Sequence, residues 1–492
     1  MPQRHLDRLT AMDASFLLQE GPNSHMHVGG LTVLEGPPPA LEEFLEEIRR
    51  RLHLVPRYRH KLAHTHTALD SGRPVWVDDP SFNLEYHVRH TALPAPGDWE
   101  QLCNLTARIF SQQLDRSKPL WEMWLIEGVS PKLAGHTRSS RNGRGAARSE
   151  RFALISKTHH SLIDGIAGVD LATVLFDLSP DPPPVRHSGK PWQPHREPGT
   201  LELVAAATKG VLRAGVEVAA SAADALAHPD RALHSAREVA EGLGEFIWAV
   251  MNPAPPTPLN VDIGPHRRFV GVGCALDDFK LVKNAFGCTV NDVVLAVVAG
   301  ALRDFMIARG VRTEGLELRA LVPVSVRAED EHHQMGNRIV VMRGPLPVYM
   351  SDPVQRLLFV KREMDGLKES KQALGAEVIA GVQNFAPPTI LAQASRLNFS
   401  TRLFNLIVTN VPGPQFPLYV LGRKMLEAYP VAFLPQHHAL AIAIMSYNGQ
   451  MNFGLLGDLD AMHDLDAFGE SIAAQLSTLK QLAGDVAALQ PV

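Results

Sequence analysis

Two proline clusters set the first limit on how this chain can fold. "DPPPVRHSGKPWQPHREPG" spans residues 181–199 and "NPAPPTPLN" spans 252–260. Proline has no backbone N–H and a fixed φ, so neither a helix interior nor a central strand runs through such segments. At 492 residues the chain is also too long for one ordinary core. The expected organisation is therefore a first domain over 1–185, a connector over 186–256 and a second domain over 257–492.

Both flanking parts mix strand and helix signals, which indicates an α/β class. In the first, "HMHVGGLTVLEG" reads as a strand ending in a turn, "ALEEFLEEIRRRL" as an amphipathic helix and "PLWEMWLIEGV" as a strand rich in aromatic and branched residues. In the second, "FGCTVNDVVLAVVAGALRDFMIARG" reads as a turn followed by a long buried helix, and "LELRALVPVSVR" as a strand. "ALAIAIMSYNGQMNFGLLGD" sets Asn448-Gly449 between two apolar runs, the signature of a hairpin. From Leu201 to about Val250 the connector is Ala-rich with helical spacing. It suits close helix packing or a crossover between domains, or else a helix lying on a membrane surface. The basic stretch "GHTRSSRNGRGAARSER" lacks apolar periodicity and reads as an exposed loop between strands. Its other reading is an anchor for anionic lipid, at roughly 1 kcal/mol per surface cation.

Composition excludes several classes. Net charge is −4, so the molecule as a whole is no trap for nucleic acid. The 3 cysteines, Cys103, Cys274 and Cys288, stand far apart and in no CxxC spacing, which argues against a disulfide framework or structural zinc. The opening "MPQRHLDRLTAMDASF" is charged where a signal peptide is apolar, and no run approaches the ~18 apolar residues of a membrane span. The expectation is a cytoplasmic protein without a membrane span.

The chemistry concentrates in "KTHHSLIDG", residues 157–165. Upstream, "RFALISK" is a buried-strand candidate. Downstream, Leu171, Val174, Leu175 and Leu178 recur at i, i+3, i+4 and i+7, a helix burying one face. The motif thus lies where a strand hands over to a helix, a junction that exposes side chains at a sheet's edge. Successive strand residues point to opposite faces, so His159 and His160 should have different roles, which weakens a shared-metal reading. Adjacent histidines recur at His332-His333 and His437-His438, so the pair alone says little; the full pattern H-H-x-x-x-D-G is far rarer.

"HHSLIDG" resembles the HHxxxDG motif of CoA-dependent acyltransferases built like chloramphenicol acetyltransferase, of peptide-synthetase condensation domains and of plant acyltransferases. Further segments narrow the resemblance to the bacterial wax ester synthase/diacylglycerol acyltransferase family: "LTAMDASFLLQEGPNSHMHVGGL", "VWVDDPSFNLEYHVRHTALPAPG", "LDRSKPLWEMWLIEGV", "PLNVDIGPHRR", "VNDVVLA" and "TNVPGP". Together they cover nearly the whole chain in order, leaving out the basic insertion and the Ala-rich connector.

The resemblance implies two chloramphenicol-acetyltransferase-like domains with mixed β-sheets flanked by helices, and an active-site channel at their interface. It implies O-acyl transfer from long-chain acyl-CoA, a co-substrate rather than a resident cofactor, to diacylglycerol or a long-chain alcohol, with no metal. His160 becomes the general base, removing the hydroxyl proton as the ester bond forms, with His159 beside it. Asp164 holds the loop through an arginine, or orients His160 directly. Gly165 permits a backbone conformation or approach that a Cβ would block. Asn291 donates to the oxyanion, or else Asn291-Asp292 simply caps a helix. Asn260 and Arg267 shape the domain interface near substrate, and Asn410 and Gly413 border the CoA or acyl channel or form a plain turn. Contact with a membrane's inner face or a lipid droplet would be peripheral. Two rival functions remain: a non-catalytic lipid-binding or droplet-coating protein of the same fold, and a condensation-type amide-forming enzyme.

Overall fold

The computed structural model describes residues 7–63, 74–131, 150–163, 171–183, 192–196, 198–199, 202, 251–325, 339–369 and 399–489. The basic stretch at 136–149 and most of the Ala-rich connector lie outside the described residues.

The first part opens with the short strand β1 (Asp7–Arg8), helix α1 (Ala11–Gln19) and strand β2 (His27–Glu35). Helix α2 (Leu41–Arg51) follows, amphipathic as its spacing predicts: Phe44, Leu45 and Ile48 are buried, while acidic residues start the helix and Arg49–Arg51 end it, matching the helix dipole. Next come β3 (His60–Ala63), β4 (Val75–Asp78), α3 (Leu84–His87), β5 (Val88–Ala92) and α4 (Trp99–Ser111). The motif segment contributes β6 (Trp121–Val129), β7 (Arg151–His159), α5 (His160–Ile163) and α6 (Leu171–Leu175). Helix α6 buries Leu171 and Leu175 but ends there, so Leu178 is 73% exposed and does not extend the apolar stripe that its spacing suggested.

The second part holds β8 (Arg267–Ala275), α7 (Leu276–Phe286), α8 (Val290–Ala308), β9 (Glu317–Ser325), β10 (Ile339–Pro347) and α9 (Pro353–Glu369). It continues through β11 (Leu406–Pro412), β12 (Tyr419–Val420), β13 (Arg423–Val431), β14 (Leu440–Tyr447), β15 (Gln450–Asp458) and α10 (Leu465–Leu489). The expected hairpin joins β14 to β15. Asn448 and Gly449 both take positive φ, 44° and 83°, as a two-residue turn matched to strand twist requires.

Two six-stranded mixed sheets result, beside a three-stranded one of order β1-β4-β3. One large sheet runs β10-β9-β11-β14-β15-β8. The other runs β12-β13-β2-β7-β6-β5, so two strands from late in the chain complete the sheet that carries the histidine motif. Strand β13 pairs antiparallel with β2, placing Tyr429 opposite Leu31. Strand β7 is buried on both faces: Phe152 and Leu154 join Phe44 and Trp121 on one side, whereas Ala153 and Ile155 face a core shared with Val272, Val297 and Phe453. This second core is continuous between the sheets. Helix α8 supplies much of it; every residue from Val293 to Leu302 is buried, so this stretch of the helix is apolar all round as a central element must be.

Candidate active site

Strand β7 stops at His159, and His160 begins the short turn of α5. The backbone fixes both: His159 N–H donates to Leu120 O at 2.9 Å, and His160 N–H donates to Met26 O at 2.8 Å. Beyond that point the two side chains part. His159 is 1% exposed. Its Nδ1 accepts from the Ser161 backbone N–H at 3.1 Å and lies 2.7 Å from Ser161 Oγ. Its Nε2 lies 3.7 Å from Glu20 Oε2. Burial, helped by the positive charge of Arg116, pushes the imidazole down to about 3, so this ring is neutral at physiological pH. Asp164 and Gly165 lie outside the described residues.

His160 is partly exposed and sits among aromatic rings. Its imidazole stacks on Phe16 of α1, with centroids 4.0 Å apart and planes 27° from parallel. Phe433, just beyond β13, meets it edge-on at 5.7 Å and 89°. Phe399 closes the cluster, 6.5 Å from Phe16 and 5.7 Å from Phe433. An imidazole so placed has a largely apolar, aromatic surround.

Behind the pair runs a buried charged network. Lys157, two residues earlier on β7, is fully buried. Its Nζ pairs with Glu122 Oε1 at 2.6 Å and donates to Ile109 O at 2.8 Å and Gln112 O at 2.9 Å, carbonyls at the C-terminus of α4. Burial pulls this ammonium below its usual range and Glu122 opposes the fall. A cation at a helix C-terminus also meets the negative end of the helix dipole. His27 stands opposite His159 across β2–β7, with Nε2 accepting from Leu114 N–H at 3.4 Å.

The remaining sequence-predicted residues fall in three places. Asn291 is the second residue of α8, and its Oδ1 accepts from Asn410 Nδ2 at 3.3 Å, so two residues 119 apart in sequence meet. Capping of α8 is done by Thr289 and Asp292, which form a reciprocal box: Asp292 N–H to Thr289 Oγ1 at 3.2 Å and Thr289 N–H to Asp292 Oδ2 at 2.8 Å. Gly413 donates its N–H to Ser446 Oγ at 3.2 Å; a Cβ there would lie 2.2 Å from Ser446 O, which only glycine avoids. Asn260 is locked to Asn405, donating to its carbonyl at 3.2 Å and accepting from its amide at 2.8 Å. Arg267 is buried and spans the two parts of the chain. It donates to Gly264 O at 2.8 Å, to His266 O at 3.0 Å and to Asn23 O. Asp458 lies 3.8 Å away, and burial still lowers this guanidinium to about 10. All three cysteines are buried, with thiols pushed up to about 12, 12 and 11, so none is a ready thiolate.

The wax ester synthase/diacylglycerol acyltransferase catalytic-domain model matches residues 9–134 and 144–294, and the family's C-terminal-domain model matches 335–480. The chain belongs to this family. As a wax ester synthase/diacylglycerol acyltransferase family member it is an acyltransferase, 32% identical over 478 residues to a probable diacylglycerol O-acyltransferase of Mycobacterium tuberculosis, covering 96% of each chain. A second probable diacylglycerol O-acyltransferase of that bacterium is 32% identical over 492 residues, covering 97% of this chain and all of the relative. The solved wax ester synthase/diacylglycerol acyltransferase from Marinobacter aquaeolei superposes with a TM-score of 0.64 at 26% identity, over 97% of this chain and 100% of that one. A trichothecene 15-O-acetyltransferase from Fusarium sporotrichioides shares the fold alone, with a TM-score of 0.57 at 13% identity. The break at 135–143 falls in the basic stretch set apart above, whereas the match runs through the Ala-rich connector.

Among the described residues no helix by itself is long and apolar enough to cross a membrane, and no three His, Cys, Asp or Glu side chains converge as a metal site requires. The residues that sequence reasoning passed over are Phe16, Glu20, Glu122 and Lys157. A signal existed for two of them: a lysine in "RFALISK" and a glutamate in "PLWEMWLIEGV" interrupt otherwise apolar strands and so point to a buried pair.

Proposed function

We propose that the protein moves a long-chain acyl group from acyl-CoA to diacylglycerol or to a long-chain alcohol, with His160 as general base. Family membership supplies the reaction class, and the observation that supports the assignment is the contrast between the two histidines. His159 is sealed, neutral and held by Ser161, while His160 keeps some exposure inside an aromatic surround. The acceptor hydroxyl gives its proton to the neutral His160 imidazole as its oxygen bonds to the thioester carbonyl carbon. Collapse of the tetrahedral intermediate breaks the C–S bond, and the imidazolium returns the proton to the departing CoA sulfur. Atoms balance without an acyl-enzyme, a metal or a resident cofactor.

Asn291 is the donor to the oxyanion in this reading. Its Oδ1 is occupied by Asn410, which turns the amide so that its own N–H groups face elsewhere. One such donor is typically worth 10²–10³ in rate. Diacylglycerol and fatty alcohols reside in membranes or droplets, so the protein works at such a surface by peripheral contact.

Incubation of the purified protein with palmitoyl-CoA and either diolein or hexadecanol, with product identification by mass spectrometry, tests the reading. Triacylglycerol or wax ester should form with stoichiometric free CoA. H160A that folds normally and turns over like the parent would refute it.

A further inference from the structure

Helix α1 reaches both histidines of the motif. Phe16, on its last turn, stacks on His160, and Glu20, four residues later at the helix C-cap, reaches His159. The Glu20 side chain is 1% exposed. A carboxylate removed from water is strongly disfavoured unless compensated, so its retention asks for a reason. Part of the compensation is Arg116, whose Nε donates to Oε2 at 2.8 Å and whose Nη2 shares that oxygen. Arg116 is 40% exposed, and an ion pair alone could equally have formed in solvent. What burial adds is proximity to the motif: Oε2 lies 3.7 Å from His159 Nε2.

A neutral His159 has two tautomers. With hydrogen on Nε2, the lone pair on Nδ1 accepts the Ser161 backbone N–H, as observed at 3.1 Å. With hydrogen on Nδ1, the ring would instead donate to Ser161 Oγ, 2.7 Å away, and Ser161 N–H would lose its acceptor. A carboxylate facing Nε2 is attracted to an N–H and repelled by a lone pair, so it selects the first tautomer. That tautomer ties residue 161 back to 159 and thereby holds His160 between them.

We propose that Glu20 is a positioning residue, which selects the Nε2–H tautomer of His159 and through the Ser161 N–H bond fixes the turn that presents His160. The proposal rests on the reading of His160 as general base and adds to it a residue on a different element.

The test compares E20L, E20Q and H160A in the full chain with palmitoyl-CoA and diolein, together with ¹⁵N-histidine spectra that distinguish Nδ1–H from Nε2–H. E20L should lower kcat roughly 10–100-fold, the usual penalty for losing an orienting partner, with KM for palmitoyl-CoA unchanged. The His159 signal, assigned with H159Q, should shift from pure Nε2–H towards the other tautomer. E20Q keeps the volume without the charge, should fall between parent and E20L, and carries the test if E20L fails to fold. An inactive H160A beside E20L and E20Q with parental kcat and an unshifted tautomer overturns the role of Glu20 alone. An active H160A overturns the base assignment instead.

Discussion

The two large sheets solve the same packing problem in different ways. In the second, β14 ("LAIAIMSY") and α8 bury mainly aliphatic side chains, and buried polar groups such as Arg267, Asn452 and Asp458 fall on the neighbouring strands β8 and β15. The first, at the end of β7 that leads into the motif, buries Lys157, Glu122, His27, His159 and the side chain of Glu20. Each of these polar groups lowers stability unless it is partnered, whereas the aliphatic groups raise it wherever they fit. The contrast teaches that the middle of the second sheet is a platform, while the first gathers buried polar groups where β7 turns into the histidine motif.

Four measurements sharpen or break that contrast. The largest effect belongs to the motif: H160A should reduce acyl transfer by at least the 10²–10⁴-fold typical of general-base help, with an unchanged circular dichroism spectrum. Next, K157M leaves Glu122 buried with only Arg89, 3.4 Å from its Oε2, as a cationic partner and should cost up to about 3–5 kcal/mol of stability, read from the denaturant midpoint; a loss below about 1 kcal/mol would mean that Arg89 or water satisfies the carboxylate. In the platform, L302A should cost about 2–5 kcal/mol through the cavity it opens while kcat per folded molecule stays parental. A kcat that fell with it would show that α8 is coupled to the chemistry.

The last effect is gradual. His159, His87 and His438 have folded-state values pushed down to about 3, 4 and 4 by burial, from the ordinary 6.5. Below pH 6.5 the unfolded chain binds protons that the folded one refuses, so stability must fall as pH drops from about 6.5 towards 4. The slope is about 1.4 kcal/mol per pH unit for each proton of difference. Two of these rings, His159 and His87, belong to the first sheet and its neighbours, and His438 lies just ahead of β14. H159Q should flatten the acid limb more than L302A does; equal limbs would place the polar burden elsewhere.

Local chemistry made much of this legible beforehand. The hairpin at Asn448-Gly449 follows from turn residues between apolar runs, α8 from a long apolar sequence after a turn, and the β7-to-α5 handover from a strand pattern that stops at the histidines. The cap of α8 proved to be Thr289 with Asp292 rather than Asn291-Asp292. What escaped is tertiary. Nothing in the periodicity of "RKMLEAYPV" says that it pairs with β2, nearly 400 residues earlier, because the side-chain pattern of a strand records burial but not partner. Phe16 and Glu20 escaped likewise, since their spacing reads as an ordinary helix end until the histidines are set against it. Leu178 erred in the other direction: its position fits a helical stripe, but the helix stops before reaching it.

Because β13 is hydrogen-bonded along β2, the early and late portions of this polypeptide are not separable cassettes. A fragment ending before residue 400 would leave β2 as a bare edge, open to intermolecular pairing, and would lack Phe433 as well. Shuffling halves between homologues must therefore carry residues 419–433 along with the front of the molecule, or graft a foreign seam beside the histidine motif.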